Sequence, residues 1–355
     1  MQLSKNIIAA SLGLAFAGSV LAQSNVTVYG TVDVGVAHMS SSGIKAQNVV
    51  DNGLNAPSRL GFRGVEDLGN GLKALFTLEY NIAPDQNSGV GDLASKTQWT
   101  GSQSRQAFVG LSGDFGTLAV GRLQTAGFYF ACSYNPVAGG AFNTTDRMKG
   151  ASLLVCGNPG RADNAVGYTS PSFGGLSLSL NHARITESAA LQQSGSDAYA
   201  NLLGLTYTQG PLQAGGVYSN KSMKNTWADD NVREYGLGAS YDLSVVKLFA
   251  MYQNQKVGSQ GADSKWAIAA TAPVSAAGTV KLSYGRNHLG STPNSDNSSA
   301  YALVYNHALS KRTTLYAGYT HIGNGNGGTV TVKGDYVPLA GNNANLYAMG
   351  VSHNF

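Results

Sequence analysis

Apolar and polar residues alternate one by one along most of this chain. Between residues 25 and 38, Val26, Val28, Val32, Val34 and Val36 fall on one side of an extended backbone, and Thr27, Tyr29, Thr31, Asp33 and Ala37 on the other. The period of two returns as Leu72, Phe76, Leu78, Tyr80 and Ile82 against Lys73, Thr77, Glu79 and Asn81. It returns again as Leu176, Leu178 and Leu180 against Ser177, Ser179 and Asn181, and as Tyr235, Leu237, Tyr241 and Leu243 against Glu234, Ser240 and Asp242. Similar segments lie near 246–254, 265–273, 280–288, 300–309, 314–322 and 344–355. Each is about ten residues long, the length a tilted strand needs to cross a bilayer. Helical periodicity is confined to the N-terminal stretch.

The connections alternate between short and long. Tight ones fall at 66–71, 113–116, 170–175, 209–211, 242–245, 274–278 and 309–313. Long ones, rich in Ser, Asn, Gly and Asp, fall near 39–57, 83–102, 123–160, 184–198, 220–232, 255–264, 288–298 and 323–343. Short turns at one end and long loops at the other predict an all-β, up-and-down antiparallel barrel. One strand on each side of every tight turn, with a strand at each terminus, gives about sixteen. No linker interrupts the pattern, so residues 23–355 are expected to form one barrel.

The stretch Ser58-Arg59-Leu60-Gly61-Phe62-Arg63-Gly64 says which side is wet. Its arginines share one face and its large apolar groups the other. A lipid-facing Arg at mid-membrane costs about 2–4 kcal/mol, and two on one strand would be untenable. Leu60 and Phe62 are therefore expected to meet lipid, and Arg59 and Arg63 a water-filled lumen. Tyrosines such as Tyr29, Tyr80, Tyr168, Tyr218, Tyr241, Tyr284 and Tyr347 sit near expected strand ends, where an interfacial aromatic girdle belongs.

Composition agrees. Of 355 residues, 46 are Gly and 18 Tyr, only 12% are charged, and the net charge of +4 is too small to imply a nucleic-acid partner. A mean hydropathy of −0.10 is too polar for a helical membrane protein. Residues 1–22 read as a cleaved export signal, with Lys5 before an apolar run from Ile7 to Val20 and a small residue, Ala22, at its end. In an exported chain, a single pair of cysteines, here Cys132 and Cys156, forms a disulfide more often than a metal site. Two free thiols are the alternative.

The segments SRLGFRGVEDLGNGLKALFTLE, RQAFVGLSGDFGTLAVGR, RADNAVGYTSPSFGGLSLSL, HALSKRTTLYAGYTH and the terminal YAMGVSHNF resemble the trimeric Gram-negative general diffusion porins of the betaproteobacterial type. The resemblance runs from the signal to Phe355. It implies a sixteen-stranded outer-membrane barrel that trimerises and passes small hydrophilic solutes and ions. It implies that the third long loop, here 123–160, folds inward, and that Arg59, Arg105 and Arg161 form the basic cluster of a pore constriction. Alternation supports Arg59 and Arg161. Arg105 shares parity with Ala107, Val109 and Leu111, so simple alternation sends it outward; a bulge, or a strand buried at a subunit contact, would reconcile the two. Phe355 matches the family's terminal signal for the outer-membrane assembly machinery. Lipid, lipopolysaccharide and anions are the other implied partners.

The candidate lumen charges are Arg59, Arg63, Lys73, Arg105 and Arg161, with Arg147 and Lys149 on the third loop, against Asp33, Glu79, Asp146 and Asp163. The basic excess predicts anion preference. Arg122 is expected to be structural, at a subunit contact. No GxSxG or metal-ligand spacing occurs, and GNGNGG at 323–328 lies in a loop with no following helix, so no enzyme activity or cofactor is expected. Two alternatives stay open: a channel specific for one class of anionic metabolite, and a barrel serving as a surface adhesin or antigen.

Overall fold

The computed structural model describes residues 25–87, 90, 104–143, 145–185, 198–223, 231–291, 296–334 and 336–355. The expected export signal and most of the second long loop lie outside the described residues. Strands β1 (Asn25–Ser41), β2 (Ile44–Asn52), β3 (Arg59–Gly69), β4 (Leu72–Asn81), β5 (Ser104–Gly113), β6 (Gly116–Gln124), β7 (Arg161–Thr169) and β8 (Leu176–Arg184) form the first half of the wall. Strands β9 (Ala198–Gln209), β10 (Leu212–Met223), β11 (Val232–Asp242), β12 (Lys247–Val257), β13 (Asp263–Pro273), β14 (Gly278–Leu289), β15 (Ser298–Ala308), β16 (Thr313–Asn324) and β17 (Ala344–Asn354) form the second.

Every strand pairs antiparallel with its neighbours, and β1 pairs with β17, so the sheet closes on itself. Phe355 completes the seam: its N–H donates to Gly30 O, and Gly30 N–H donates to Phe355 O, each at 3.2 Å. Closure removes the free edges that would leave backbone groups unsatisfied in lipid. Strands β2 and β3 both pair with the long β1, over its second and first halves, so they share one position and the barrel has sixteen. The first long connection, read from the sequence as loop from 39 to 57, thus contains a strand. Its Lys45, Gln47 and Asn48 carry no apolar alternation, and pairing to β1 overrides that local pattern.

The outer face is apolar and exposed, as at Val28, Val36, Val109, Val120, Leu237, Ile268, Leu282, Leu303 and Met349. Tyr218, Tyr235, Tyr252, Tyr284, Tyr301 and Tyr347 stand among them. Tight turns fall where the sequence placed them, with Asn70 and Ser244 in the left-handed region beside glycines such as Gly69 and Gly71.

The third long connection folds into the lumen. It opens with a helix, α1 (Ala126–Ser133), capped by Thr125, whose Oγ1 accepts from Phe128 N–H at 3.3 Å. Eight residues reading AGFYFACS carry no helical stripe, because the helix is buried on most sides, and the sequence reading missed it. Its aromatic rings lie on wall glycines. A Cβ on Gly236 would stand 2.6 Å from the Phe130 ring, and one on Gly238 2.4 Å from the Tyr134 ring. Behind α1, Phe130, Tyr134, Leu153 and Leu154 pack on Leu202, Val217, Met251 and Ala267 of the inner wall.

Four inward polar side chains bind this segment by its backbone. Glu234 accepts from the N–H groups of Ser152 and Leu153, the latter at 3.0 Å; Gln253 donates to Leu154 O at 2.8 Å. Lys265 Nζ donates to Thr145 O at 3.0 Å, and Asn287 Nδ2 to Lys149 O at 3.4 Å. A second inner cluster joins Val137, Phe142 and Met148 of the segment to Leu54, to Val332 and Tyr336 of the last long connection, and to Ala302, Val304, Tyr316 and Leu346 of the wall.

Candidate functional site

One sector of the inner wall, β3 to β7, stays clear of these clusters and carries the arginines. Glu79 on β4 is the centre of the group. It is 5% exposed and accepts from Arg105 Nε at 2.6 Å and from Tyr29 Oη at 3.1 Å, with Arg59 Nε at 3.6 Å. Gly61 makes this geometry accessible. It lies between Tyr29 and Glu79 in the sheet register, and a Cβ there would stand 2.3 Å from Tyr29 Cζ, so only glycine lets the phenol ring cross the strand. The glycine inside the RLGFR stretch is therefore a seat for Tyr29. Tyr29 also carries Arg63 over its ring at 5.1 Å, so it is a lumen residue and not part of the girdle.

Arg105 turns inward at a bulge. Glu79 pairs with Gln106 and Tyr80 with Ser104, leaving Arg105 as the extra residue on β5. This is the departure from alternation that its parity required. A second bulge sits in β7, where the register jumps between Gly121 and Leu123 and Asn164 adopts φ 49°. Below it, Arg161 is 8% exposed and stacks its guanidinium over Phe128 of the helix at 4.5 Å. Arg161 Nε has no hydrogen-bond partner among the described residues. Tyr129, 53% exposed, projects from the same helix within electrostatic reach of Arg161 and Glu79.

Three of the expected lumen carboxylates are placed elsewhere. Asp33 is fully buried and accepts from the N–H groups of Leu54, Asn55 and Ala56 and from Tyr316 Oη, so it holds the inward excursion between β2 and β3. Asp146 is not brought to the arginines. It accepts from Asn143 at 2.6 Å on the buried side of the segment, in the field of Lys265, and burial raises its pKa. Asp163 pairs with Arg122 at 2.6 Å, and Arg122 shares parity with the exposed outer residues Leu118 and Val120. Arg147 is buried toward Asp146 and Asp51, and burial lowers its pKa to about 10, so it stays cationic at neutral pH. Lys333 binds Asp51 at 2.5 Å and Asn52 O at 2.6 Å. Cys132 and Cys156 are bonded, with Cα atoms 4.9 Å apart, and tie the end of α1 to the returning limb of the segment.

Among the described residues the cluster thus sets Arg59 and Arg105 on the carboxylate of Glu79, with Arg63 over Tyr29 and Arg161 over Phe128 beside them. Sequence parity had located Glu79 inside but gave no hint that three strands converge on it. Phe128, the other partner, sits in a segment whose path local pattern does not show.

An apolar belt outside, a closed sixteen-position wall, and a lumen partly filled by its own loops and lined with fixed charge define a transmembrane channel barrel. The chain belongs to the Gram-negative porin family, whose model matches residues 9–327. It is 31% identical to outer membrane porin protein 32 of Delftia acidovorans over 99% of this chain and 100% of that one. It is 30% identical to an outer membrane porin protein of Bordetella pertussis, covering 89% of this chain and 93% of that one. The solved anion-selective porin from Comamonas acidovorans superposes with a TM-score of 0.76 at 29% identity, over 94% of this chain and 100% of that one. The protein is an outer-membrane porin, a channel for passive diffusion of small hydrophilic solutes.

Proposed function

We propose that this porin prefers anions, and that its narrowest section lies between Arg59, Arg105 and Arg161 on the wall and the inserted segment bearing Tyr129. One observation carries the reading: among the described residues Glu79 pairs with Arg105 and Arg59, while Arg161 stacks on Phe128 with only the distant field of that carboxylate, which leaves unbalanced positive charge. Inside low-dielectric walls such charge is focused and admits anions ahead of cations. The likeness to the solved anion-selective porin from Comamonas acidovorans supports it. Transport is a sieving process with no catalytic turnover and no cofactor.

The same reading takes the channel as a homotrimer, exported by removal of residues 1–22 and recognised at Phe355 during assembly. Lipopolysaccharide is its outer-leaflet neighbour. Arg233 stands directly opposite Lys256 on the outer face at the long-loop end, a like-charge pair suited to lipid phosphates. Liposome swelling tests the selectivity: with solutes matched in size, an anionic one should enter faster than its cationic counterpart. Equal rates, or faster cation entry, would overturn the anion preference.

A further inference from the structure

The inserted segment does not seal against the wall everywhere. On the short-turn side of α1 a cavity of about 300 Å³ opens between the helix and the inner face of β7 to β10. That is the lower end of the range of small-molecule sites, roughly 300–1,000 Å³. One side is aromatic, formed by Tyr129, Phe130 and Tyr134. The other is hydroxylic: Ser177 and Ser179 on β8 share inward parity with the buried Asn181, and Thr206 on β9 stands opposite Ser177. Among the described residues no charged side chain lines it.

Tyr134 adds the feature that points to a ligand. It is 2% exposed, and its hydroxyl finds no hydrogen-bond partner among the described residues. Gly215 keeps the space for that hydroxyl, since a Cβ there would stand 2.5 Å from Tyr134 Oη. A buried hydroxyl without a partner is unfavourable, and a ligand hydroxyl would relieve it.

We infer that this cavity is a weak subsite for a neutral, polyhydroxylated solute of monosaccharide size. Aromatic faces take the C–H side of such a molecule, as they take other apolar surface. Ser177, Ser179, Thr206 and Tyr134 offer donors and acceptors to its hydroxyls. The uncharged lining gives an ion no compensation for leaving water, so anions stay at the arginines and neutral solutes pause here. The inference rests on the lumen being a diffusion path, which places the cavity just beyond the arginine cluster on the way to the short-turn side.

Glucose is the probe. Saturation-transfer NMR on the detergent-solubilised full-length protein should transfer magnetisation to glucose C–H protons, in a signal that saturates with concentration. Ser179→Leu, which fills the cavity from the wall, should abolish it. Tyr134→Phe, which keeps the ring and removes only the hydroxyl, should weaken binding about two- to tenfold, the worth of one hydrogen bond. Chloride conductance in planar bilayers is read in parallel and tests the channel reading by itself. A conducting wild type without glucose transfer would overturn the subsite and leave the channel intact. Undiminished transfer in folded Ser179→Leu, or in Tyr134→Phe where the former does not fold, would overturn it as well.

Discussion

The two halves of the lumen share one alternation, broken by a bulge at Arg105, and put it to opposite uses. On β3 to β7 the inward positions include Arg59, Arg63, Glu79, Arg105 and Arg161, which converge on one another and leave a charged surface. On β9 to β16 the inward positions are mostly small or apolar, such as Ala200, Val217, Gly236, Ala267, Ala302 and Val304, and a folded segment covers them. Four of the polar residues in that half, Glu234, Gln253, Lys265 and Asn287, are spent on the segment's backbone. The lesson is that a polar inward residue is not yet a pore residue. What matters is whether the lumen in front of it is water or protein.

Substitutions that separate the two halves should divide cleanly into those that loosen the segment and those that change selectivity. The largest effect is expected from Phe142→Ala. Phe142 is 1% exposed, edge-on to Tyr316, and its loss should weaken the segment's hold by about 3–5 kcal/mol. Hydrogen exchange of the backbone amides in the segment measures it, and should accelerate there while the amides of β3 to β5 stay protected. Replacing Cys132 and Cys156 together by Ser comes next. Their sequence separation of 24 corresponds to about 3 kcal/mol in the loop-entropy account. Exchange should again rise in the segment, and reducing agent should reproduce the change in wild type and have no effect on the variant.

The smallest effect is expected at Gly61→Val. Its side chain would collide with the Tyr29 ring, an overpacking worth about 1–3 kcal/mol. Thermal unfolding should show that loss, and the reversal potential should move because Tyr29 no longer supports Glu79. Exchange in the inserted segment should not respond. A faster-exchanging segment in this variant would contradict the separation of the two halves.

Much of the wall was legible in the sequence, because the requirement that lipid meets apolar groups acts on every second residue. Arg59 and Arg63 were readable for the same reason. Arg105 was not, since its inward turn depends on a bulge that pairing with β4 creates. Asp33 and Asp146 show the converse. Parity or position placed them in the lumen, yet Asp33 holds a backbone excursion and Asp146 lies on the buried side of the inserted segment. Helix α1 escaped because it is short and enclosed, so no amphipathic stripe marks it. The inward path of residues 325–343, with Val332 and Tyr336 buried against Phe142, also follows from no local pattern. Alternation reports which way a strand residue points, and has no access to what a long loop does afterwards.

We propose that the arginine-bearing half of the lumen sets selectivity. The most direct measurement is the reversal potential in a planar bilayer under a KCl gradient, wild type against the Arg59→Ala/Arg161→Ala double variant. The wild type should be anion-selective, and that preference should collapse in the double variant. A cation-selective wild type, or a double variant that keeps the full anion preference, would contradict it.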